Sequence, residues 1–184
     1  MKGSETMIKL YIANLGKYNE GYMIGEWFEL PYSNEEWDKL LERIGIDEQY
    51  EEFFIADVDC EIYSIPRCIG EYSNIQELNE LAERLQSLEK WEINKFSAIT
   101  ESEHYNIEDL IKITYNLDCW DLYPDVKNDE DLGEYFFYEL QAIEIPDSVI
   151  GYFDFERFGH DLFLSSWSGD YTPYGYICQI DNMR

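Results

Sequence analysis

Residues 7–40 read MIKLYIANLGKYNEGYMIGEWFELPYSNEEWDKL. Side chains alternate between the faces of a strand, so residues 7–15 place Ile8, Leu10 and Ile12 together on one face. The segment GKYNEG (16–21) carries Gly and Asn turn signals, and YMIGEWFEL (22–30) is rich in aromatic and β-forming residues. The two runs are therefore expected to pair as a hairpin, with Pro31 ending the second strand. Ser33 opens a capping box with Glu36, and Trp37, Leu40, Leu41 and Ile44 recur at helical spacing up to Gly45, a natural C-terminal stop. The run EEFFIADVD (51–59) reads as a third strand, making residues 7–66 a ββαβ module. The opening MKGSET has no pattern of its own.

Further along, the pattern turns helical. A helix is predicted from Ser73 through Ile75, Leu78, Leu81, Ala82, Leu85 and Leu88, with Gln76 in the capping-box position. A second helical patch holds Trp91, Phe96 and Ile99, and a third begins at Asn106 and runs through Ile107, Leu110, Ile111 and Leu117. Residues 67–118 thus read as a helical middle module. In the last third (119–184), Leu132, Tyr135, Phe136, Leu140 and Ile143 line a helix face stopped at Pro146. Residues 147–162 read as helix interrupted by Gly151 and Gly159, and LFLSSW (162–167) and YGYICQI (174–180) as strands paired across SGDYTP. The expected fold class is α+β, with two mixed ends flanking a helical middle.

The chain carries 40 Asp+Glu against 13 Lys+Arg, a formal net charge of -27. The charge is spread over the whole length: residues 1–60, 61–120 and 121–184 carry -9, -7 and -11. An acidic disordered segment would be poor in aromatics, whereas this chain has 16 Tyr, 10 Phe and 5 Trp, so the acidity sits on a folded protein. Cys60, Cys68, Cys119 and Cys178 show no metal or redox spacing, and no apolar run approaches a membrane span. Reduced thiols and a cytoplasmic location are expected.

Catalytic signatures are missing: there is no P-loop, Rossmann glycine pattern, GxSxG elbow or HExxH. The nearest calcium loop, DVKNDEDLGEYF from Asp125, has Lys127 at a ligand position and Glu130 where the tight turn needs Gly. His104 and His160 stand apart from any ligand cluster. With this many acids, a pair spaced for glycoside hydrolysis arises by chance and carries no specificity. No catalytic residue, metal or cofactor is expected.

Charge of this size repels nucleic acid and anionic membranes and favours basic grooves. A net -27 equals the charge of roughly 13–14 base pairs of duplex. Glu77, Glu80 and Glu83 recur along one helix flank at roughly 4.5 Å of rise per step, near the ~3.4 Å axial spacing of phosphates along one strand. These features suggest a protein that occupies a DNA-binding channel in place of DNA. A chaperone or other acidic binding module for a basic DNA-binding protein fits the charge equally well.

YIANLGKYNEGYMIGEW (11–27) resembles the opening of ArdA-type antirestriction proteins through Tyr11, Ala13, Asn14, Leu15, Tyr18, Asn19, Gly21, Gly25 and Trp27. EQYEEFFIADVD (48–59) is similar to that family's acidic third strand, and SNIQELNELAERL (73–85) to its Ile-x-Glu-Leu-Asn helix. IPDSVIGYFDFERFGHDL (145–162) is similar to its antirestriction motif, with Pro146, Tyr152, Asp154, Phe158, Gly159, Asp161 and Leu162 in place. His160 stands where the family usually has Arg, and Ala142-Ile143 where it has Leu-Gly; residues 86–131 align loosely and those beyond Trp167 do not align. The resemblance implies three small domains (7–66, 67–118 and 119–184) in an elongated, curved monomer that mimics bent B-form DNA. It further implies a non-catalytic inhibitor of type I restriction-modification enzymes, aimed chiefly at the methyltransferase core. A homodimer is implied too, joined through the C-terminal module near Phe158, Gly159, His160 and Asp161.

On this reading Glu48, Glu51, Glu52, Asp57, Asp59 and Glu61 act as phosphate surrogates while Phe53, Ile55 and Val58 serve the core. Glu77, Glu80 and Glu83 extend the acidic surface, as do Asp125, Asp129, Glu130, Asp131 and Glu134.

Overall fold

The computed structural model describes residues 8–164, 169–181 and 183. The chain divides into two compact units, one holding the residues up to Ile93 together with His104–Tyr115, the other Asn94–Glu103 with the chain from Asn116 onward.

The N-terminal unit begins β1 (Ile8–Asn14), α1 (Leu15–Asn19), β2 (Gly25–Leu30), α2 (Asn34–Arg43), β3 (Phe53–Cys60), α3 (Ser64–Cys68) and α4 (Ile75–Ser87). Its three strands form an antiparallel sheet in the order β2-β1-β3. Ile8, Leu10 and Ile12 are fully buried, as their alternation predicts, and register opposite Leu30, Phe28 and Glu26 of β2. On the other side the register slips between Tyr11 and Ile12, so that Tyr11 faces Asp57 while Ile12 faces Ile55. Ala56 is thereby the extra residue of a β-bulge, and Ile55 and Val58, three apart, share a face. Phe53 and Val58 are half-buried; Phe54, on the opposite face, is the more buried phenylalanine and packs against Tyr18 of α1.

GKYNEG is not a simple turn. Residues Leu15–Asn19 make a helical turn because the Asn14 side chain caps it, accepting from Lys17 N at 2.9 Å. The Asn14 amide also donates to Ile44 O (3.2 Å) and Gly45 O (2.8 Å) at the end of α2. The Ser33–Glu36 capping box forms, and Gly45 takes the left-handed conformation (φ 75°) that the stop requires. The next cap differs from the sequence expectation. Asn74, not Ser73, caps α4, its Oδ1 accepting from Gln76 N, whereas the Ser73 hydroxyl accepts from Gly70 N. Ile75, Leu78, Leu81, Ala82 and Leu85 form the buried stripe of α4.

α5 (Lys90–Ser102) follows, and the division between the units passes through it. α6 (Ile107–Tyr115) packs against α4, with Arg84 donating to Thr114 O at 3.2 Å and lying 4.0 Å from the Tyr115 ring centroid.

The C-terminal unit contains β4 (Trp120–Tyr123), α7 (Asp129–Glu134), α8 (Asp147–Ile150), α9 (Phe155–Leu164), β5 (Gly169–Thr172) and β6 (Gly175–Gln179). Its sheet is antiparallel in the order β4-β6-β5. The predicted pairing of 162–167 with 174–180 is corrected: 162–164 end α9, and SGDYTP itself supplies β5. Residues 165–168 lie outside the described residues. The helix expected to reach Ile143 stops sooner. α7 passes into a π-helical turn at Tyr135–Glu139, and Gln141 reverses with φ 48°. Val126, Leu132, Phe136, Tyr176 and Cys178 form the core, with Phe158, Leu162 and Phe163 packed against it.

Gly159 does not interrupt its helix. It lies within α9 where that helix presses on α7 through Gly133, and a Cβ at either glycine would land on backbone, at Asp129 O or Phe155 O. Alanine normally gains about 1 kcal/mol over glycine in a helix. Here the clash with backbone outweighs that gain, and Gly159→Ala is expected to destabilise by roughly 1–3 kcal/mol in denaturant melts. Asn14→Ala removes a cap and leaves two carbonyls without a donor; a loss of about 2–4 kcal/mol is expected in the same assay, with unchanged stability refuting the assigned role.

Candidate functional site

Lys9, Lys17, Lys39, Arg43 and Lys112 are ion-paired with a particular set of acids. Lys9 pairs with Glu29 (3.1 Å), Lys17 with Glu20 (3.4 Å), Lys39 with Glu35 (2.7 Å) and Lys112 with Glu108 (2.8 Å). Arg43 grips Glu26 through two bonds of 2.8 and 2.9 Å, which hold the Glu26 carboxyl below the usual carboxylate range. Arg67 lies over the Tyr63 ring, Lys95 Nζ donates to Leu117 O and Lys127 Nζ to Pro173 O. Such exposed pairs contribute little stability, but they neutralise those faces.

The acids singled out in the sequence fall elsewhere. Glu48, Glu51, Glu52, Asp57, Asp59, Glu61, Glu77, Glu80, Glu83, Asp125, Glu130 and Glu134 are all exposed. Among the described residues none of them forms an ion pair with Lys or Arg. Asp59 registers opposite Lys9, yet Lys9 reaches across to Glu29 instead. The geometry gathers Glu48, Glu51 and Glu52 around Tyr50 and Gly16 at a shallow cleft of about 260 Å³. Glu77, Glu80 and Glu83 are exposed on α4, away from its buried stripe, with Asn74 donating to Glu77 and Asn79 to Glu83. Asp129 and Asp131 differ from the rest. Asp131 accepts from Lys127 N, and Asp129 accepts from Tyr171 OH at 2.7 Å and faces His160 Nδ1 at 2.8 Å. Burial, together with this carboxylate, pushes the Tyr171 phenol well above its ordinary range.

The C-terminal motif divides by direction. Phe158, Gly159 and Leu162 turn inward to the core and to α7. Asp154 accepts from Arg157 N in the first turn of α9. Pro146, Tyr152, His160 and Asp161 are exposed, Tyr152 at 89%.

Among the described residues no group of three His, Cys, Asp or Glu side chains is arranged to hold a metal ion. His104 and His160 belong to different units. The four cysteines are free thiols, and burial pushes the Cys60 and Cys178 thiols up to about 11, so neither ionises near neutral pH. No helix among the described residues is long and apolar enough to cross a membrane.

A feature that the sequence pattern did not disclose is a cleft of about 430 Å³ in the N-terminal unit, lined by Tyr32, Trp37, Phe53, Glu71, Tyr72 and Ile75 among others. Trp37 and Phe53 read as core material in the sequence. Only the fold collects residues 32–37, 53 and 71–76 along one opening.

A comparison with curated proteins finds no match. The family model described as antirestriction protein (ArdA) matches residues 10–178, passing through the loosely aligned stretch 86–131 and past Trp167. With nearly its whole length matched, the chain belongs to the antirestriction protein (ArdA) family.

Proposed function

We propose that this chain inhibits type I restriction-modification enzymes by occupying the DNA-binding groove of their methyltransferase core, blocking restriction and also modification. The reading rests on one observation above all: Lys9, Lys17, Lys39, Arg43 and Lys112 are ion-paired with a separate set of acids, and among the described residues no ion pair with Lys or Arg reaches Glu48, Glu51, Glu52, Asp57, Asp59, Glu61 or the α4 acids Glu77, Glu80 and Glu83. The spacing of those carboxylates suits a phosphate row. Asp57 and Asp59, two residues apart on β3, lie roughly 6.8 Å apart along the strand. That is about two axial phosphate steps of ~3.4 Å. In the groove, Lys and Arg side chains that hold phosphates would accept these carboxylates instead. The chain then acts by binding alone, without catalysis or cofactor.

A competition titration tests the reading. A labelled recognition-site duplex is bound to a type I methyltransferase core, the protein is added, and DNA release is followed at low and high salt. Stoichiometric release with affinity falling as salt rises is expected; no release at any salt overturns groove occupation. Because attraction is spread over many carboxylates, changing any one of Glu51, Asp57 or Glu80 to its amide should leave release within about fivefold, at the ~0.2–1 kcal/mol typical of an exposed ion pair. Neutralising five or more of the same surface together should abolish it.

The protein is further proposed to act as a homodimer through its C-terminal unit. Phe158 packs on its own core, so exposed apolar side chains such as Val149, Tyr152 and Leu164 supply the contact. Tyr152→Asp, which disturbs no core residue, should convert the dimer to monomer in sedimentation; an unchanged dimer excludes this face.

A further inference from the structure

We infer that the cleft around Trp37 is a receptor for one cationic side chain, an arginine guanidinium, presented by the protein partner. The inference deepens the proposed function and rests on it for the identity of that partner.

Three rings converge at Trp37. Tyr32 is tilted against it with centroids 5.4 Å apart and planes 31° apart, and Phe53 meets it edge-on at 5.2 Å and 78°. Phe28 adds the third contact, from the sheet core, at 5.6 Å. These supports fix the Trp37 ring while leaving it partly exposed. The loop carrying Tyr32 is held in turn by its backbone N–H, which donates to Asn79 Oδ1 of α4 at 2.7 Å. Tyr72 lines the opening and is 71% exposed, and Glu71 beside it is exposed as well. The main chain at Glu71 is anchored by a bond from Ile55 N to Glu71 O (2.8 Å), so its carboxylate can be changed without touching the fold.

The chemistry of this lining selects its occupant. Aromatic faces carry negative quadrupole charge and attract cations, most strongly when water is excluded. A guanidinium is planar, weakly hydrated and able to stack on a ring while donating to a carboxylate. Glu71 supplies that carboxylate, and the cleft has no Lys or Arg in its lining to compete for it. Elsewhere the chain places its own cations over tyrosines, Lys17 over Tyr50, Arg67 over Tyr63 and Arg84 over Tyr115; among the described residues none lies over Tyr32, Trp37, Phe53 or Tyr72. A phosphate or nucleotide would meet both Glu71 and the surrounding net charge of -27. The distributed carboxylates then bring the partner in, and this cleft provides one local anchor.

Two measurements decide. In ¹H–¹⁵N spectra of the full chain titrated with N-acetyl-arginine amide, the Trp37 indole signal and the Glu71 and Tyr72 amides should shift saturably, and more weakly in Glu71→Gln and Tyr72→Ala. Unmoved Trp37 signals, or tighter response to the neutral probes N-acetyl-glutamine amide and glucose or to the anion adenosine monophosphate, overturn the assignment. In the DNA-release titration, Tyr72→Ala, which removes no charge, should lower affinity about fivefold to thirtyfold, the span from an exposed to a desolvated cation–π contact, while the exposed control Tyr22→Ala leaves it unchanged. Equal affinity of Tyr72→Ala and wild type refutes the anchor. Arginine binding at the cleft without any DNA release by wild type upholds the receptor and defeats only the groove reading.

Discussion

Everything in the N-terminal sheet turns on how Asn14 ends β1. One side chain, fully buried, caps the helical turn α1 and answers the carbonyls of Ile44 and Gly45 that follow α2, 30 and 31 residues further along the chain. Helix termini leave unsatisfied backbone groups that are costly when buried. Asn14 meets that demand for two elements at once, and asparagine alone among small residues offers both a carbonyl acceptor and an amide with two donors. Its neighbours in the family motif play related parts. A Cβ at Gly25 would come within 2.7 Å of Ile12 O, and Tyr11 donates its hydroxyl to Gly25 O at 3.1 Å. The opening motif is therefore chiefly a device for closing a small sheet.

Small sheets with few residues inside need large side chains, and this explains how an acidic chain folds. Aromatic contacts run through both units, from Phe28, Tyr32, Trp37 and Phe53 in the first to Phe163, Tyr171 and Tyr176 in the second. Each buried ring removes much apolar surface per residue, which leaves most other positions free to carry charge. Repulsion among those charges opposes compaction, and the ion pairs of Lys9, Arg43 and Lys112 relieve it only locally.

Local patterns made much of this readable from sequence. The Ser33 capping box, the Gly45 stop and the Ile8–Leu10–Ile12 alternation are short-range signals, and each formed where it was expected. What stayed hidden depends on distant partners. β4 is only four residues long and exists because β6, more than fifty residues later, pairs with it. Gly159 looked like a break because its reason is Gly133, on another helix. The acids themselves were plain, yet the capture of Asp129 by Tyr171 and His160 needs a contact across 42 and 31 residues. The aromatic cleft at Trp37 was masked for the opposite reason, since nothing in a sequence separates a ring that fills a core from one that lines an opening.

The bulge at Ala56 ties the charge pattern to the fold through parity. Upstream of it β3 turns Ile55 inward, and downstream it turns Val58 and Cys60 toward the same face while Asp57 and Asp59 point away. The added residue shifts the inward–outward count by one step midway along the strand. A chain lacking it would have to choose between a buried carboxylate and an exposed valine at every position beyond. The length of this strand is thus as much a part of its acidic surface as the acids are, and the surface can drift by substitution but not by insertion or deletion within 55–60.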